Sequence, residues 1–165
     1  VPEEKLGIVV LTNTDNNKFF QSLGNEILGA FLDLPYQGYS YKSLKSYKAN
    51  KVNSDNQLDS LRRVIMLNNK PSLSLSQYVG KYNNDVYGDI EVRLENGNLN
   101  IYFSNHPDLV GKLDHIQNDS FLCVYSNPSM GIFEIPFKIK DGKVMGLTLR
   151  VSDFIEFTPY EFKKI

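Results

Sequence analysis

One compact segment contains the residue types that nucleophilic chemistry needs. It is Ser104-Asn105-His106-Pro107-Asp108, in which a serine, a histidine and a carboxylate lie close together in the sequence. In a hydrolytic triad, the histidine removes the serine proton and the carboxylate orients the histidine. Adjacency in the sequence argues against this role, because triad members converge from separate elements around an oxyanion hole. Asn-His-Pro-Asp is also ordinary turn chemistry. We therefore interpret this segment as a turn between strands.

Histidines and carboxylates could also hold a metal ion. His106 and His115 are the two histidines, with Asp108 and Asp114 close to them. Their spacing matches no metal-binding motif, and histidine beside aspartate is common without a metal. Cys123 is the single cysteine, which excludes a disulfide framework and a cysteine-rich metal site. We predict no catalytic residue, no metal site and no cofactor in this chain.

Aromatic side chains are the remaining candidates for binding chemistry. The sequence has ten tyrosines and ten phenylalanines but no tryptophan. A small eight-stranded barrel can hold one small molecule, and the tyrosines of the second half of the chain could line such a cavity. The alternative, which we favour, is that side chains simply fill the barrel. The candidate ligand-binding residues are Tyr78, Tyr82, Tyr102 and Tyr125.

The elements that would position these side chains follow from the hydrophobic pattern. From residue 77 onward, apolar and polar residues alternate with period two, which indicates half-buried β-strands. Asn96-Gly97 and Asp141-Gly142 are hairpin turns that accept positive φ. About eight short strands in this segment are typical of an up-and-down antiparallel barrel or a sandwich. We place a weaker strand around residues 110–116, and the last strand opens at Ile155 and Phe157. The residues predicted to face inward are Ile90, Val92, Leu99, Ile101, Phe133, Ile135, Phe137, Leu147 and Leu149.

The first third of the chain has a different pattern. Residues 7–12 form an unbroken apolar run that predicts a fully buried strand. Residues 19–32 repeat apolar side chains at helical spacing. A second helix is predicted over residues 55–67, with Asp55 as its N-cap. A buried strand and one amphipathic helix need more sheet beside them, so we interpret this part as a piece of a larger α/β structure.

Charge is unevenly distributed along a chain whose net charge is −1. Residues 36–75 carry seven basic and two acidic side chains. Lysines interleaved with tyrosines can indicate binding of single-stranded nucleic acid, but we favour a basic connector packed against an acidic domain. We predict no nucleic-acid partner. We also predict no membrane span, because the longest aliphatic run, residues 8–11, is far shorter than the roughly 20 residues required.

Two stretches resemble parts of a known enzyme family. Residues 1–13, in which a Pro-Glu-Glu turn precedes an apolar strand ending in Asn13, resemble a segment of the penicillin-recognising serine hydrolases. This family includes class C β-lactamases and D-Ala-D-Ala carboxypeptidase-like peptidases, and residues 19–32 match its last helix. Residues 77–165 resemble the lipocalin-like C-terminal domain that many of these hydrolases carry. The matching segments are residues 78–82, 87–92, 95–99, 119–121, 141–147 and 157–162.

The resemblance carries no catalytic residue onto this chain. The nucleophile and base of the family come from Ser-x-x-Lys, and no serine here has a lysine three positions later. The His/Lys-x-Gly strand of the family would end just before Val1. Tyr82-Asn83-Asn84 and Tyr125-Ser126-Asn127 match the Tyr-x-Asn motif formally, but both lie in the predicted barrel and are coincidental. We therefore expect this chain alone not to be an enzyme.

The resemblance implies three segments: residues 1–35 as the tail of the hydrolase domain, residues 36–76 as a basic connector with a short helix, and residues 77–165 as a lipocalin-like barrel. The overall class is mainly β, with α+β content. The implied function is that of a non-catalytic accessory domain that shapes active-site access or holds subunits together in the periplasm or outside the cell. Its expected partners are the catalytic domain of its parent chain and a second copy. The alternative is a stand-alone lipocalin-like binder of a small apolar or aromatic ligand.

Residues 8–11 are also expected to pair with another strand. If they form a strand, it should add to an edge within the chain or pair with its copy across a two-fold axis, because an unpaired flat strand is a template for pairing. The helical stripe of Phe20, Ile27 and Phe31 should be buried in the same contact.

Overall fold

A computed structural model of the chain describes residues 1–13, 17–150 and 158–165. These residues form two compact units, Val1–Leu58 and Asp59–Ile165. Helix α1 (Phe19–Phe31) and most of helix α2 (Tyr39–Met66) belong to the first unit. The second contains the end of α2, the short helix α3 (Leu75–Tyr78) and the strands. Within the described ranges, no helix has both the length and the apolar character needed to cross a membrane.

Hydrogen bonds from Ser40 to Glu26 and between the hydroxyls of Ser22 and Ser43 join α1 to the first turns of α2. The carboxylate of Glu26 accepts from the Ser40 amide at 2.9 Å and from the Ser40 hydroxyl at 3.0 Å. This contact satisfies a donor at the helix N-terminus, where a negative charge is also favourable. The hydroxyls of Ser22 and Ser43 lie 2.5 Å apart. The two helices of the first unit are therefore held by polar contacts.

The predicted strand at residues 7–12 does not form. These residues belong to no helix or strand, and Val9 and Leu11 are 83% and 89% exposed. A strand needs a partner edge, and the closed barrel of this chain offers none. The prediction that residues 8–11 pair with an edge within the chain is therefore wrong, whereas their pairing with a second copy stays a prediction. The stripe of Phe20, Ile27 and Phe31 is also exposed rather than buried in the chain.

The second helix begins much earlier than its predicted start at Asp55. α2 is one continuous helix of 28 residues, and Asp55 lies in its middle instead of capping it. No proline or glycine interrupts the chain between Gly38 and the end of α2. The Lys51 ammonium and the Asp55 carboxylate are 3.1 Å apart at i, i+4 spacing, which supports the helix across the predicted boundary.

The second unit is an up-and-down barrel in which each strand pairs antiparallel with its sequence neighbour and β8 closes onto β1. This topology confirms the predicted fold class, a mainly β chain with a lipocalin-like eight-stranded barrel. In the described residues the strands are β1 (Gly80–Asn84), β2 (Gly88–Glu95), β3 (Asn98–Phe103), β4 (His106–Gln117), β5 (Ser120–Tyr125), β6 (Ile132–Lys140), β7 (Lys143–Leu149) and β8 (Tyr160–Lys164).

The inward-facing side chains follow the predicted alternation. Eight of the nine residues predicted to face inward are buried, and the ninth, Phe133, is partly buried against the same core. Both predicted hairpin turns have positive φ at their two central residues, 50° and 81° at Asn96-Gly97 and 52° and 70° at Asp141-Gly142. Glycine and short polar residues tolerate this left-handed backbone.

Two details of the barrel differ from the sequence prediction, and a third cannot be compared with the described residues. The turn predicted over residues 104–108 is confined to Ser104-Asn105, because β4 begins at His106 after a register shift between Tyr102 and Phe103. β4, with 12 residues, is the longest of the described strands, although a weaker strand was predicted around residues 110–116. The predicted opening of the last strand at Ile155 and Phe157 lies outside the described residues.

Candidate functional site

Polar side chains concentrate at the end of the barrel where the chain enters β1. The β2–β3, β4–β5 and β6–β7 turns lie at this end, because the strands alternate in direction. Residues 68–75, which we term the neck, lead from α2 to α3 at the same end. A partly open cleft of about 560 Å³ is lined by the neck, the β2–β3 turn, residues 113–115 of β4 and Phe121.

Asp119, in the β4–β5 turn, fixes the middle of the neck. One of its carboxylate oxygens, Oδ1, accepts hydrogen bonds from the Ser72 amide at 3.2 Å, from the Ser72 hydroxyl at 2.7 Å and from the Tyr78 hydroxyl. Burial alone would raise the pKa of Asp119, but the hydrogen bonds from Tyr78 and Ser72 outweigh it and hold the pKa below its usual value. The carboxylate is therefore ionised and committed to the neck at neutral pH.

Tyr78, the last residue of α3, plugs the barrel at this end. Its ring is fully buried and packs edge-on against Phe121 and Phe137 at centroid distances of 5.4 and 5.1 Å. Burial and the hydrogen bond to Asp119 raise the pKa of Tyr78 to about 12. Tyr82, in β1, donates its hydroxyl to the Tyr78 carbonyl oxygen at 2.5 Å, and burial raises its pKa too. The two tyrosines thus act as core side chains whose polar ends are satisfied.

His115, in β4, contacts two backbone carbonyls. Its Nδ1 is 2.9 Å from the carbonyl oxygen of Asn69 in the neck, and its Nε2 is 2.8 Å from the carbonyl oxygen of Asn118. The imidazole also packs edge-on against Phe121 at 5.2 Å. His115 therefore bridges the neck and the β4–β5 turn.

The neck and the β4–β5 hairpin bring together a serine, a histidine and an aspartate that the sequence analysis did not combine. The Ser72 hydroxyl donates to Asp119, and both ring nitrogens of His115 face carbonyl oxygens. A hydrolytic triad needs a histidine that accepts the serine proton. This arrangement instead holds the neck on the barrel. Sequence reasoning missed it because Ser72 and Asp119 are 47 positions apart.

The four candidate ligand-binding tyrosines lie in two different places. Tyr78, Tyr82 and Tyr125 point into the barrel and belong to its core. The Tyr125 hydroxyl donates to the Arg150 carbonyl oxygen at 2.9 Å, and burial raises the pKa of Tyr125. These three side chains occupy the interior together with the aliphatic core.

Tyr102 is not among them, so its placement as a cavity-lining residue is wrong. Its hydroxyl donates to the Glu95 carboxylate at 2.7 Å on the outer face of the barrel, and the Arg93 guanidinium lies 4.4 Å from its ring centroid. The physical reason is the pleat of β3. Ile101 and Phe103 point inward, so the residue between them must point outward.

The two histidines considered for nucleophilic and metal chemistry lie at opposite ends of the barrel. Ser104, His106 and Asp108 are exposed at the end of the barrel opposite the neck, whereas His115 lies beside the neck. Cys123 is fully buried in the core, and burial raises the pKa of its thiol to about 12, which suppresses the reactive thiolate. In the ranges that the structure describes, no three His, Cys, Asp or Glu side chains are grouped so that they could hold a metal ion.

The domain is a closed antiparallel barrel of eight strands, and hydrogen bonds fix the neck, which precedes α3 and β1, to the β4–β5 hairpin. The family model described as "Domain of unknown function (DUF3471)" matches residues 66–164, from the last residue of α2 to the last residue of β8. The chain belongs to this family. No curated protein and no solved structure matches the chain.

Proposed function

We propose that this chain is the non-catalytic C-terminal part of a serine hydrolase related to the β-lactamases and D-Ala-D-Ala carboxypeptidase-like peptidases. In this proposal the barrel shapes access to the active site or holds subunits together. The catalytic domain of the same parent protein is its first partner, and the protein works in the periplasm or outside the cell. The support for the enzyme family and the location is the resemblance of residues 1–32 and 77–165 described above.

The observation that carries the proposal is the uncovered apolar surface of the first unit. Phe19, Phe20, Ile27 and Phe31 on α1 are all exposed, as are Val9 and Leu11 in the preceding segment. An exposed apolar cluster of this kind is typical of an interaction site. Such a cluster is expected if α1 and residues 7–12 complete the structure of a neighbouring catalytic domain.

The packed interior of the barrel supports an accessory role over the alternative of a stand-alone binder. Tyr78, Tyr82, Phe121 and Phe137 are buried together in the space where a lipocalin-like ligand would lie. A ligand would have to displace these aromatic side chains and their edge-on contacts. If a small apolar fluorophore nevertheless binds the chain with one site per barrel and protects Cys123 from modification, the binder hypothesis is favoured instead.

Reading the gene upstream of Val1 is the first test. We expect an open reading frame that encodes Ser-x-x-Lys and a His/Lys-x-Gly strand. In the full gene product, deletion of residues 66–165 should leave the nucleophile reactive toward a fluorescent penicillin but change kcat/KM for a β-lactam or an ester. If the deletion changed neither kcat/KM nor the oligomeric state, the proposed role of the barrel in active-site access or subunit assembly would be contradicted.

Catalytic silence of the chain alone is the second test. We expect no hydrolysis of a chromogenic β-lactam or a p-nitrophenyl ester above background, because no serine has the required lysine partner. Ser72→Ala is the informative variant, since Ser72 is the serine bonded to Asp119. Turnover by the purified chain that Ser72→Ala abolishes would assign the chemistry to the neck and overturn the non-catalytic assignment.

A further inference from the structure

We propose that the cleft between the neck and the barrel binds a small amphipathic carboxylate, with its acid group on Lys70 and its apolar body on the end of the barrel core. The cleft has a volume of about 560 Å³, which lies within the range of roughly 300–1,000 Å³ that is typical of small-molecule sites. Tyr78 and Tyr82, which fill the interior, are not among the residues that line it. A ligand in the cleft therefore leaves the packed core of the barrel in place.

The apolar part of the cleft lining comes from both the barrel and the neck. Leu99, Leu113 and Phe121 line the cleft and belong to the buried core of the barrel. Leu73 in the neck and Leu75 in α3 also line it and are partly buried against the same core. An aromatic ring or a short alkyl chain in contact with these side chains is removed from water, which favours a ligand with an apolar body.

The polar part of the lining carries a positive charge that has no counterpart among the described residues. The Lys70 ammonium is exposed and takes part in no hydrogen bond or ion pair with them. The Asp114 carboxylate lines the cleft as well, but it is already paired with the Lys112 ammonium at 3.1 Å. Both ring nitrogens of His115 face carbonyl oxygens. An anion is therefore the ligand group that complements the cleft.

A carboxylate fits this rim better than a more highly charged anion. One ammonium matches the single charge of a carboxylate, and the side-chain amides of Asn68 and Asn69, which line the cleft beside Lys70, can donate to its second oxygen. The backbone of the rim is held on both sides of Lys70. The Asn69 carbonyl oxygen lies 2.9 Å from Nδ1 of His115, and the Ser72 hydroxyl donates to the β4–β5 turn at 2.7 Å. This part of the neck is thus ordered before a ligand arrives, which lowers the entropic cost of binding.

Titration of the full chain with 2-naphthoate, followed by ¹H–¹⁵N correlation spectroscopy, tests the site. We expect saturable shifts of the backbone amides among residues 68–75, 97–99 and 113–115, which line the cleft. The uncharged 2-naphthamide has the same ring system and should bind about tenfold more weakly, because it forms no ion pair with Lys70. The absence of saturable shifts at these residues would overturn the proposal. Shifts confined to residues 19–31 would also overturn it, because they would place the ring on the exposed apolar side of α1.

Two exposed lysines at the same end of the barrel provide matched variants. Lys70→Gln should weaken the binding of 2-naphthoate about tenfold. Lys143→Gln, at the start of β7, removes the same charge outside the cleft and should leave the affinity unchanged. Lys70→Glu should lose 2-naphthoate and bind the cation of 2-naphthylmethylamine more tightly than the unmodified chain does. Because Lys70 is exposed, these changes are compatible with the fold, which the dispersion of the same spectra reports. Equal affinities of Lys70→Gln and Lys143→Gln for 2-naphthoate would overturn the proposal.

Discussion

The hydroxyl of Tyr82 has the clearest energetic role among the buried polar groups. It donates to the Tyr78 carbonyl oxygen inside the core, where water cannot replace it. We expect Tyr82→Phe to lower the free energy of unfolding by about 1–3 kcal/mol, because a buried acceptor is left unsatisfied. Urea denaturation monitored by circular dichroism measures this loss.

Tyr102→Phe is the control for the loss of a tyrosine hydroxyl. Its hydrogen bond to Glu95 lies on the outer face, where solvent can replace the lost partner. The urea midpoint should be unchanged. Equal losses in the two variants would contradict the assignment of Tyr82 to the interior and Tyr102 to the surface.

Alkaline pH should destabilise the barrel through its buried tyrosines. Burial and the bond to Asp119 raise the pKa of Tyr78 from 10.0 to about 12, and burial raises those of Tyr82 and Tyr125. A raised pKa stabilises the folded chain below the unfolded value of 10.0, and this stability is lost progressively as the pH rises toward 12. The urea concentration at the midpoint of unfolding should therefore decrease as the pH is raised from about 9 to about 11. Smooth ionisation of all ten tyrosines with an unchanged midpoint would contradict this prediction.

Individual site residues were the least predictable part of the molecule from sequence. Tyr78 and Tyr82 were identified because tyrosines cluster there, but sequence could not show that their hydroxyls close a network with Asp119. Ser72, His115 and Asp119 meet only after the neck folds across the β4–β5 hairpin, so their local spacing carries no signal. Tyr102 shows the opposite case: the alternation with Ile101 and Phe103 already indicates an outward position, and its choice as a ligand-binding candidate disregarded that local pattern.

At the scale of elements, the close pairing of β7 and β8 depends on Gly146. A Cβ at this position would clash with the backbone carbonyl oxygen of Phe162 across the ladder. We expect Gly146→Ala to lower the free energy of unfolding by at least about 1–3 kcal/mol, because the backbone must shift to accept it. Thermal or urea unfolding of the full chain measures the change.

Gly111→Ala separates a backbone clash from a side-chain clash. A Cβ there would lie 2.7 Å from the Cys123 sulfur, which belongs to a side chain. Gly111→Ala should therefore destabilise the barrel, and addition of Cys123→Ala should recover part of the loss. The same addition should not rescue Gly146→Ala. If Cys123→Ala rescued both glycine variants, or neither of them, the clash at Gly111 would not differ in kind from the clash at Gly146.

The elements divide into those fixed by local pattern and those fixed by partners. Asn96-Gly97 and Asp141-Gly142 require a backbone conformation that few residues adopt, so their hairpins were predictable. Residues 7–12 have the composition of a buried strand, but a strand exists only with a neighbour, and none is present in the described chain. The early start of α2 was missed because the hydrogen bond that the Ser40 amide donates to the Glu26 carboxylate joins residues in two different helices.

At the scale of the whole molecule, the uncovered apolar side of α1 predicts self-association when no other partner is present. We expect the full chain to be dimeric in light scattering at high concentration. Phe31→Glu should shift it to the monomer, because Phe31 is 59% exposed on the apolar side of α1. Gln21→Glu adds the same charge at an exposed polar position of the helix and should leave the mass unchanged. A monomeric full chain would exclude the second copy as a partner.

The closure of the barrel by its first and last strands has a consequence for biosynthesis. β1 pairs with β2 over five residue pairs but with β8 over two, Tyr82 with Lys164 and Asn83 with Lys163. β8 is the last barrel strand to leave the ribosome, so β1 and β7 remain open edges until it emerges. Open edges recruit strands from other chains. A premature stop codon just before Tyr160 should therefore yield a product that aggregates rather than a slightly shortened domain. During synthesis, the interval before β8 emerges is the one in which the chain most needs a chaperone.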